Sequence, residues 1–434
     1  MSDTHAETVA FVRDTMLEQK SPPVTLIGPI GWARANLFSG PFNTIVSVIS
    51  VLFVAWVLSL ILPWVFSPTW NALSLSECRE IVGGGHGGAC WGVIRERWLQ
   101  LVFGFYPQEL YWRPILTFVL LLAALAPVLF TGVPKKMLWL SAAFPFLGAW
   151  LLWGGTVWMP LAAAFGFVLG FLVIRYASAL TGPLIGLILG VAAALLWWAF
   201  LAVPVANDLG RLIPLGLESV TSREFGGFML SITIGVTAIG VSLPLGIVLA
   251  LGRQSDLFIV KSLCVGFIEF IRGVPLITLL FVASTLLNIF LPPGTTFDII
   301  LRVMIMVTLF AAAYMAEVVR GGLAALPKGQ YEAADALGLD YWKAQRLIIM
   351  PQALKISIPG IVSTFIGVFK DTTLVSIIGL LDPLGLSNAI RADSAWNGIV
   401  WEIYGFIALM FFVFCFSMSR YSMFLERKLQ TGHH

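Results

Sequence analysis

The chain has 434 residues, of which 59% are hydrophobic and 11% are charged, and its mean hydropathy is +0.92. Soluble domains carry about 25% charged residues, so this composition excludes an ordinary soluble protein. The net charge of +3 says little by itself, and no nucleic-acid partner is expected. Apolar runs of about 18 or more residues recur along the sequence, which indicates a polytopic membrane protein.

The apolar runs predict about ten membrane spans in an all-α fold. No cleavable signal peptide is expected, and "WARANLF", with Trp32 and Phe38, suits a short interfacial helix before the first span. The third and fourth runs are short, and a re-entrant hairpin is the alternative for that pair. The runs lie at about 43–66, 114–133, 137–153, 158–174, 183–203, 228–251, 274–291, 299–319, 358–380 and 401–420.

A long polar loop, 67–113, follows the first span and contains Cys78 and Cys90 on either side of "GGGHGG". In an oxidising compartment these two cysteines can form a disulfide, and two free thiols are the alternative. The histidine of the loop, His86, is interpreted as a surface residue rather than a metal ligand. The dipeptide Gly-Lys is absent, so the chain has no phosphate-binding loop, and no cofactor or metal is expected in it.

The distribution of Lys and Arg sets the orientation. With the N-terminus inside, 17 of the 26 basic residues lie in cytoplasmic segments, so both termini are expected in the cytoplasm. Composition changes near 204–225, which divides the chain into two blocks of five spans. The predicted domains are a cytoplasmic segment, 1–42, an N-terminal block, 43–203, and a C-terminal block, 225–430.

A charged stretch, "EAADALGLDYWKAQRLIIMP" (332–351), interrupts the apolar pattern of the C-terminal block. Pro327 suits a first helical turn, Gly338 suits a left-handed helix end, and Asp340 suits the cap of a second helix. Pro351 is expected to end that second helix. Two such short helices are not stable alone and need a partner surface. An amphipathic helix lying on the membrane is the alternative.

The same stretch resembles the cytoplasmic signature of ABC importer permeases: E-A-A, three residues, G, nine residues, I, one residue, L, P. Met350 replaces the usual Leu. In that family the segment is the coupling helix, which docks into a groove on a separate ATP-hydrolysing subunit. The matching positions are Glu332, Ala333, Ala334, Gly338, Ile348 and Pro351.

Other sequences extend the resemblance over about 225–430. "EFIRGVPLI" (269–277), "AEVVRGGLAALPKGQYEAA" (316–334) and "KDTTLVSIIG" (370–379) resemble the polar amino acid branch of these permeases. "WARANLF" and the extra spans resemble the broad-specificity L-amino acid permeases, including the glutamate/glutamine/aspartate/asparagine type, in which two long unlike subunits pair.

The resemblance implies a type I ABC importer core of five helices with five extra N-terminal helices and a cytoplasmic coupling loop, 320–357. It implies a transport subunit of the bacterial inner membrane, surrounded by membrane lipid, and not an enzyme. The implied partners are a second homologous permease subunit, two copies of an ABC ATPase that bind ATP and Mg, and a periplasmic amino acid-binding protein. Alternating access would be driven through the helices of 328–351.

Polar residues inside the apolar runs are the candidates for substrate contact. Lys370 and Asp371 are expected near mid-membrane, where a charge costs about 2.5–3.5 kcal/mol, and neighbours at i and i+1 point in different directions. The carboxylate and ammonium of an amino acid could meet them, and pairing with the partner subunit is the alternative. For the hydroxyls, helix packing is the alternative. The full set is Lys370, Asp371, Thr372, Thr373, Ser231 and Thr237.

Two E-x-x-R-G sequences lie at the cytoplasmic ends of predicted helices. Their spacing permits the ion pairs Glu269–Arg272 and Glu317–Arg320, which are interpreted as structural anchors near the gate. The rival function is a secondary amino acid transporter driven by an ion gradient, and a third is a structural or sensory membrane protein. A secondary transporter leaves the 332–351 pattern unexplained, and a structural or sensory protein leaves the charges within the spans unexplained.

Overall fold

The computed structural model describes residues 28–67, 69–83, 88–285 and 298–430, and in these ranges helices dominate. The all-α fold class is confirmed. The α-helices are α1 Gly28–Asn36, α2 Pro41–Phe66, α3 Leu75–Ile81, α4 Gly92–Phe103, α5 Trp112–Leu129, α6 Leu138–Trp153, α7 Trp158–Thr181, α8 Pro183–Leu196, α9 Ala202–Leu212, α10 Gly227–Gln254, α11 Phe258–Gly273, α12 Leu276–Thr285, α13 Ile299–Ala324, α14 Lys328–Ala336, α15 Tyr341–Ala344, α16 Met350–Asp371, α17 Pro383–Ala392 and α18 Trp401–Gln430.

Within the described ranges, nine helical segments are long and apolar enough to cross a membrane. A tenth is obtained if α11 and α12, which meet at an angle of 102°, are counted as one broken span. This agrees with the expected number of about ten. The predicted third and fourth spans correspond to segments of 19 and 24 residues, so each is long enough to cross.

The seventh predicted span, 274–291, differs most from the structure. A helix already begins at Phe258, and the chain turns sharply at Val274, which has extended backbone angles before Pro275. A residue that precedes proline avoids the helical region, and proline has no N–H to continue the helix, so the break falls here. Residues 286–291 lie outside the described part of the chain.

The fifth predicted span, 183–203, ends too early. A π-helical turn, Trp197–Leu201, joins α8 to α9, and the candidate span continues to Leu212. The indole N–H groups of Trp197 and Trp198 donate to the carbonyls of Ala162 and Ala163 on α7, at 2.8 and 3.0 Å. These bonds satisfy the tryptophan polar groups inside the apolar region.

Small residues hold α7 against α8. Glycines and alanines recur every four residues on both helices, and they are the buried positions of each: Ala162, Gly166 and Gly170 on α7, and Gly186, Gly190 and Ala194 on α8. A Cβ added at Gly190 would meet Ile174 and would lie 2.7 Å from the carbonyl oxygen of Gly170. The two backbones therefore approach closely, as is common between membrane helices.

The segment from α7 to α9 begins and ends at one place. Strand β1 (Gly155–Thr156) pairs antiparallel with β2 (Gly216–Leu217). On one side of this ladder the amide of Val220 donates to the carbonyl of Trp153 at 2.9 Å, and on the other the amide of Val157 donates to Leu215 at 3.0 Å. The predicted seam near 204–225 thus consists partly of α9 and partly of the segment that contains β2.

The chain forms two compact units, and the division does not fall at the predicted seam. The first unit comprises residues 1–69 and 79–90, and its described part contains α1 and α2, with Trp32 exposed on α1. In this unit the amide of Ala89 donates to the carbonyl of Trp64 at 2.9 Å. The second unit comprises 70–78 and 91–434, so α5 to α9 belong with the C-terminal helices.

Helices α10 and α13 form the centre of the second unit. Leu230 and Ile234 on α10 and Val307 and Ala311 on α13 are fully buried in one cluster. A Cβ added at Gly246 would lie 3.1 Å from the backbone nitrogen of Ala316, so this glycine permits close packing of the pair. The central pair carries the polar clusters described below.

Part of the loop 67–113 folds onto the connection between α17 and α18. Trp396 is buried at 1% exposure beside Gly92, and the amide of Leu75 donates to the carbonyl of Ala395 at 2.8 Å. An ion pair of 2.5 Å joins Arg97 to Asp393. Residues 70–78 and α4 are therefore a packed cover over this connection.

Candidate functional site

The charged stretch 332–351 folds largely as its residues predict. Helix α14 spans Lys328–Ala336, and Gly338 has φ +67°, the left-handed conformation expected after a helix. The carboxylate of Asp340 accepts the amide of Lys343 at 2.9 Å and caps the next helix. The contact with the Lys343 ammonium at 2.8 Å, together with this cap, holds the pKa of Asp340 below its usual value.

The prediction that Pro351 ends the second helix is wrong. The chain continues from α15 through a π-helical turn, Gln345–Ile349, directly into α16. Pro351 lies in the first turn of α16, where a missing N–H costs least, and the wider turn before it changes the hydrogen-bond register. The projecting element is thus one short helix and a glycine turn at the end of a long helix.

The signature residues divide into a packed set and an exposed set. Ala334 is 1% exposed, and Ile348 is partly buried in the cluster that also contains Tyr331. A hydrogen bond of 2.8 Å between Gln352 and Gln330 ties α16 to α14. The exposed members of the signature are Glu332, Ala333, Gly338 and Pro351.

Large apolar side chains surround the exposed signature residues. Leu337 is 71% exposed and Trp342 is 70% exposed, one on each side of the glycine turn. Tyr341 is also exposed beside Trp342. Such a group of open apolar side chains next to charged ones is typical of a protein interaction site.

A cluster of ion pairs lies at the ends of α10, α11 and α13, near the start of α14. Glu317 on α13 is its centre, with a side chain only 16% exposed. Its carboxylate lies 2.6 Å from Arg253, 3.0 Å from Arg320 and 3.8 Å from Arg272. One carboxylate thus joins three helices.

Of the two predicted ion pairs, the structure contains Glu317–Arg320. Glu269 and Arg272 do not pair with each other. Glu269 binds Arg253 at 2.9 Å, and the Arg272 guanidinium lies over the ring of Tyr314, 5.5 Å from its centroid. Arg253, in the last turn of α10, takes the place of the local partner because it reaches both acids.

Comparisons with known proteins bear on this arrangement. Residues 242–431 match the family described as "Binding-protein-dependent transport system inner membrane component". The chain is 59% identical to the glutamate/glutamine/aspartate/asparagine transport system permease protein BztC of Rhodobacter capsulatus, with 100% of both chains covered. It is 38% identical to an inner membrane amino-acid ABC transporter permease protein of Escherichia coli, with 92% of this chain and 93% of that one covered.

The chain belongs to the permease family of amino acid ABC transporters. A probable glutamine ABC transporter permease protein of Bacillus subtilis is 31% identical over 46% of this chain and 90% of its own length. The permease is therefore about twice as long as this relative. The charged stretch 332–351 and the Glu317 cluster both lie wholly within the family match.

Lys370 was predicted near the middle of a span, but in the permease it lies near the end of a helix. Helix α16 begins at Met350 and ends at Asp371, and a 3₁₀ helix, Thr372–Ile378, follows it. Lys370 lies in the last turn of α16, where a positive charge complements the helix end. Lys370 is exposed and Asp371 is half-buried on this chain, and neither side chain makes a hydrogen bond or ion pair with the described residues.

The two threonines have a structural task that the sequence did not reveal. The hydroxyl of Thr372 donates to the carbonyl of Phe369 at 2.8 Å, and that of Thr373 donates to Lys370 at 2.9 Å. Carbonyls at a helix end lack intrahelical partners, so these hydroxyls stabilise the end of α16. Thr372 is also fully buried, which separates it from the exposed Lys370.

The hydroxyl candidates on α10 do not join Lys370 in one pocket of the described chain. Ser231 is fully buried, and its hydroxyl has no hydrogen-bond partner in the described residues. The hydroxyl of Thr237 donates to the carbonyl of Thr233 at 2.8 Å, and both threonines face an apolar cavity. The six predicted residues thus do not come together in one pocket of the described chain, since Ser231 and Thr372 are buried whereas Lys370 is exposed.

Several buried polar residues could not be predicted from the sequence, because their partners are distant in sequence. Arg113 is buried and donates to the carbonyl of Glu218 at 2.6 Å, 105 residues away. Asp382 is fully buried at the start of α17. A "DP" pair at a helix start could have indicated the cap, but nothing local indicates its burial.

In the part of the chain that the structure describes, no three His, Cys, Asp or Glu side chains come together as a metal site would require. Cys78 and Cys90 are each disulfide-bonded and nearly fully buried, whereas Cys264 and Cys415 carry free thiols. Formation of the disulfide in the cell stays a prediction.

Proposed function

We propose that this permease imports polar L-amino acids, with glutamate, glutamine, aspartate and asparagine as its substrates. The observation that carries the proposal is the 59% identity, over the whole length of both chains, to a permease named for these four amino acids. The proposed location of the permease is the inner membrane, with both termini in the cytoplasm, in line with the distribution of Lys and Arg.

The proposed assembly contains a second homologous permease, two ATPase subunits that bind ATP and Mg, and a periplasmic binding protein that delivers the amino acid. The exposed side chains around Gly338 support the contact with an ATPase. Leu337 and Trp342 are too exposed to contribute to the core of this subunit, and an ATPase groove would remove their apolar surface from water.

The long helix beyond Gly338 offers a route for coupling. Helix α15, the π-helical turn and α16 form one continuous helix as far as Asp371. A displacement of α14 that passes through the glycine turn to α15 would therefore also move α16. The Glu317 cluster holds α10, α11 and α13 together beside this route. Movement of the coupling helix would then displace α16, the helix that carries Lys370 and Asp371.

ATP-dependent uptake tests the proposal. The permease, co-expressed with its partner permease and ATPase, is reconstituted in liposomes with the binding protein, and uptake of radiolabelled glutamate is measured. We expect uptake only when ATP is present on the side of the membrane that the ATPase faces. The matched control replaces ATP with an imposed ion gradient. Uptake driven by the gradient in the absence of the ATPase would instead establish the secondary transporter.

Asp371 tests whether the charged pair binds the substrate. We expect Asp371→Asn to leave the complex assembled and to weaken apparent affinity about ten- to hundredfold, because a charge-assisted contact is worth about 1.5–3 kcal/mol. Thr373→Val is the control, since the Thr373 hydroxyl already bonds its own helix. Unchanged uptake by an intact Asp371→Asn complex would exclude the substrate role, and a dissociated complex would favour pairing with the partner subunit.

A further inference from the structure

A cavity of about 470 Å³ lies between the extra N-terminal helices and the C-terminal helices of the second unit. Its walls come from α5 and α6 on one side and from α10 and α18 on the other, and Met304 of α13 contributes to it. Its volume is within the range of about 300–1,000 Å³ that is usual for ligand sites.

The walls of this cavity are apolar. Phe118, Phe144, Phe228 and Phe414 are among its largest side chains. Its polar side chains are engaged: Thr117 and Thr233 donate to carbonyls of their own helices, and the Trp153 indole donates to Ser222, each at 2.8 Å. The remaining one, Thr237, bonds within α10 as described above.

This chemistry excludes a polar occupant. A free amino acid would lose its hydration without gaining donors or acceptors, which makes its transfer strongly unfavourable. Ordered water is also disfavoured, because a bound water needs two to four polar partners and the polar side chains of the wall are already engaged. The occupant must therefore be a hydrocarbon.

Part of the wall of the cavity lies on the surface of this chain. Ile115 and Val119, one turn apart on α5, belong to its wall and are 53% and 56% exposed. Both lie in a segment apolar enough to cross the membrane. The molecule that meets such an opening in a membrane is a lipid.

We propose that the cavity binds an acyl chain of a membrane phospholipid, which enters between α5 and α10 and fills the junction between the extra helices and the C-terminal helices. The wall residues of α5 and α10 lie in the first three turns of each helix, so the chain comes from the leaflet on the side of α4. In the proposed orientation this is the periplasmic leaflet.

Photolabelling with a defined lipid tests the proposal. The purified transporter in detergent is titrated with a phosphatidylcholine that carries a diazirine in one acyl chain, irradiated and mapped by peptide mass spectrometry. We expect saturable labelling of 228–237 and 410–414. Labelling that rises linearly on all lipid-facing peptides, without a saturable component at these segments, would overturn the proposal because it reports annular lipid only.

Substitutions that fill the cavity sharpen the test. Val236→Trp places a large side chain in the cavity, and Val248→Trp is the matched control on the exposed face of the same helix. We expect the saturable label to be lost in the first variant and retained in the second. Ala149→Phe fills the cavity from α6 and serves if Val236→Trp does not fold. Saturable labelling retained in a folded, filled variant would overturn the proposal.

A segment of the second permease is the competing occupant. Benzoylphenylalanine introduced at Val119, at the opening, distinguishes the two after irradiation. Crosslinks to lipid are expected. Crosslinks to the partner permease, together with absence of the saturable lipid label, would show that protein fills the site and would overturn the proposal.

Discussion

Glu317 illustrates how one side chain can depend on several distant residues. It is mostly buried and is shared by three arginines, whereas the side chain of Glu269 is 55% exposed and, among the described residues, binds Arg253 alone. Loss of the Glu317 charge strands positive charge at the meeting point of α10, α11 and α13. The two acids therefore have unequal effects on stability although both occur in the same E-x-x-R-G pattern.

Substitution by glutamine tests this inequality. We expect Glu317→Gln to lower the free energy of unfolding by about 1.5–3 kcal/mol, because it weakens hydrogen bonds to charged groups. The matched control, Glu269→Gln, is expected to cost less than about 1 kcal/mol, since its ion pair is more exposed. Thermal unfolding of the purified complexes measures both. Equal losses in the two variants would contradict the central position of Glu317.

Asp382 is a second residue whose behaviour follows from burial. Its carboxylate accepts the amides of Leu384 and Gly385 at 3.1 and 3.0 Å, which favours the ionised form. Burial is the larger effect and raises its pKa to about 6. Between about pH 4 and pH 6 the folded chain therefore keeps a proton that the unfolded chain has released.

The stability of the permease should consequently fall as pH rises through that window. Ionisation of buried Asp382 destabilises the folded chain by about 3 kcal/mol, and this cost is constant above the folded-state pKa, where both states are ionised. Asp382→Asn removes the titration but retains a good helix cap. We expect the difference in melting temperature between variant and wild type to favour the variant increasingly from pH 4.5 to pH 7. A difference independent of pH would refute the assignment.

At the scale of an element, the glycine turn after α14 is set by backbone conformation rather than space. A Cβ added at Gly338 or at Gly329 meets nothing within 4 Å, but only Gly338 has a positive φ. Valine is strained in the left-handed region by about 1–3 kcal/mol. Gly338→Val should therefore displace α14 from the start of α15, and Gly329→Val should not.

Coupling between ATP hydrolysis and transport measures this difference. We expect Gly338→Val to assemble in the membrane with a reduced ratio of amino acid transported to ATP hydrolysed, and Gly329→Val to keep the wild-type ratio. Both quantities are determined in the same proteoliposomes. A wild-type ratio in Gly338→Val would argue against α14 as the coupling helix.

The α7–α8 pair depends on space instead. Gly190→Ala forces a methyl group against Ile174 and Gly170, and overpacking of this kind costs about 1–3 kcal/mol. Gly240→Ala on α10 is the control, because its Cβ meets nothing within 4 Å. We expect a lower melting temperature in Gly190→Ala and an unchanged or higher one in Gly240→Ala. The opposite order would show that these helices are held by other contacts.

At the scale of the whole molecule, local signals were sufficient for some features and insufficient for others. Apolar runs predicted the helices, and Gly338 and Asp340 predicted the turn after α14, because a cap and a left-handed glycine act on adjacent residues. The continuation of the helix past Pro351 was missed, since the π-helical turn that accommodates it has no sequence signature. The bend at Pro275 was predicted only as the start of a span, because proline suits a first helical turn as well as a break between two helices.

Features that join distant residues could not be predicted. Arg253 and Glu317 are 64 residues apart, and nothing near either one indicates the other. The predicted substrate residues were chosen because they are polar residues within apolar runs. The structure shows that Thr372 and Thr373 complete a helix end, and that the apolar cavity, not a polar path, contains Thr237.

The short ladder between β1 and β2 bears on how such a chain could have arisen. Paired residues of antiparallel strands are about 4.5–5.5 Å apart, so the two ends of the segment 155–217 lie one residue pair from each other. A chain without α7, α8 and α9 could therefore be rejoined by a peptide link or a short connection, with little displacement of what flanks it. In evolutionary terms, gain or loss of these three helices is a single splice at one point of the molecule.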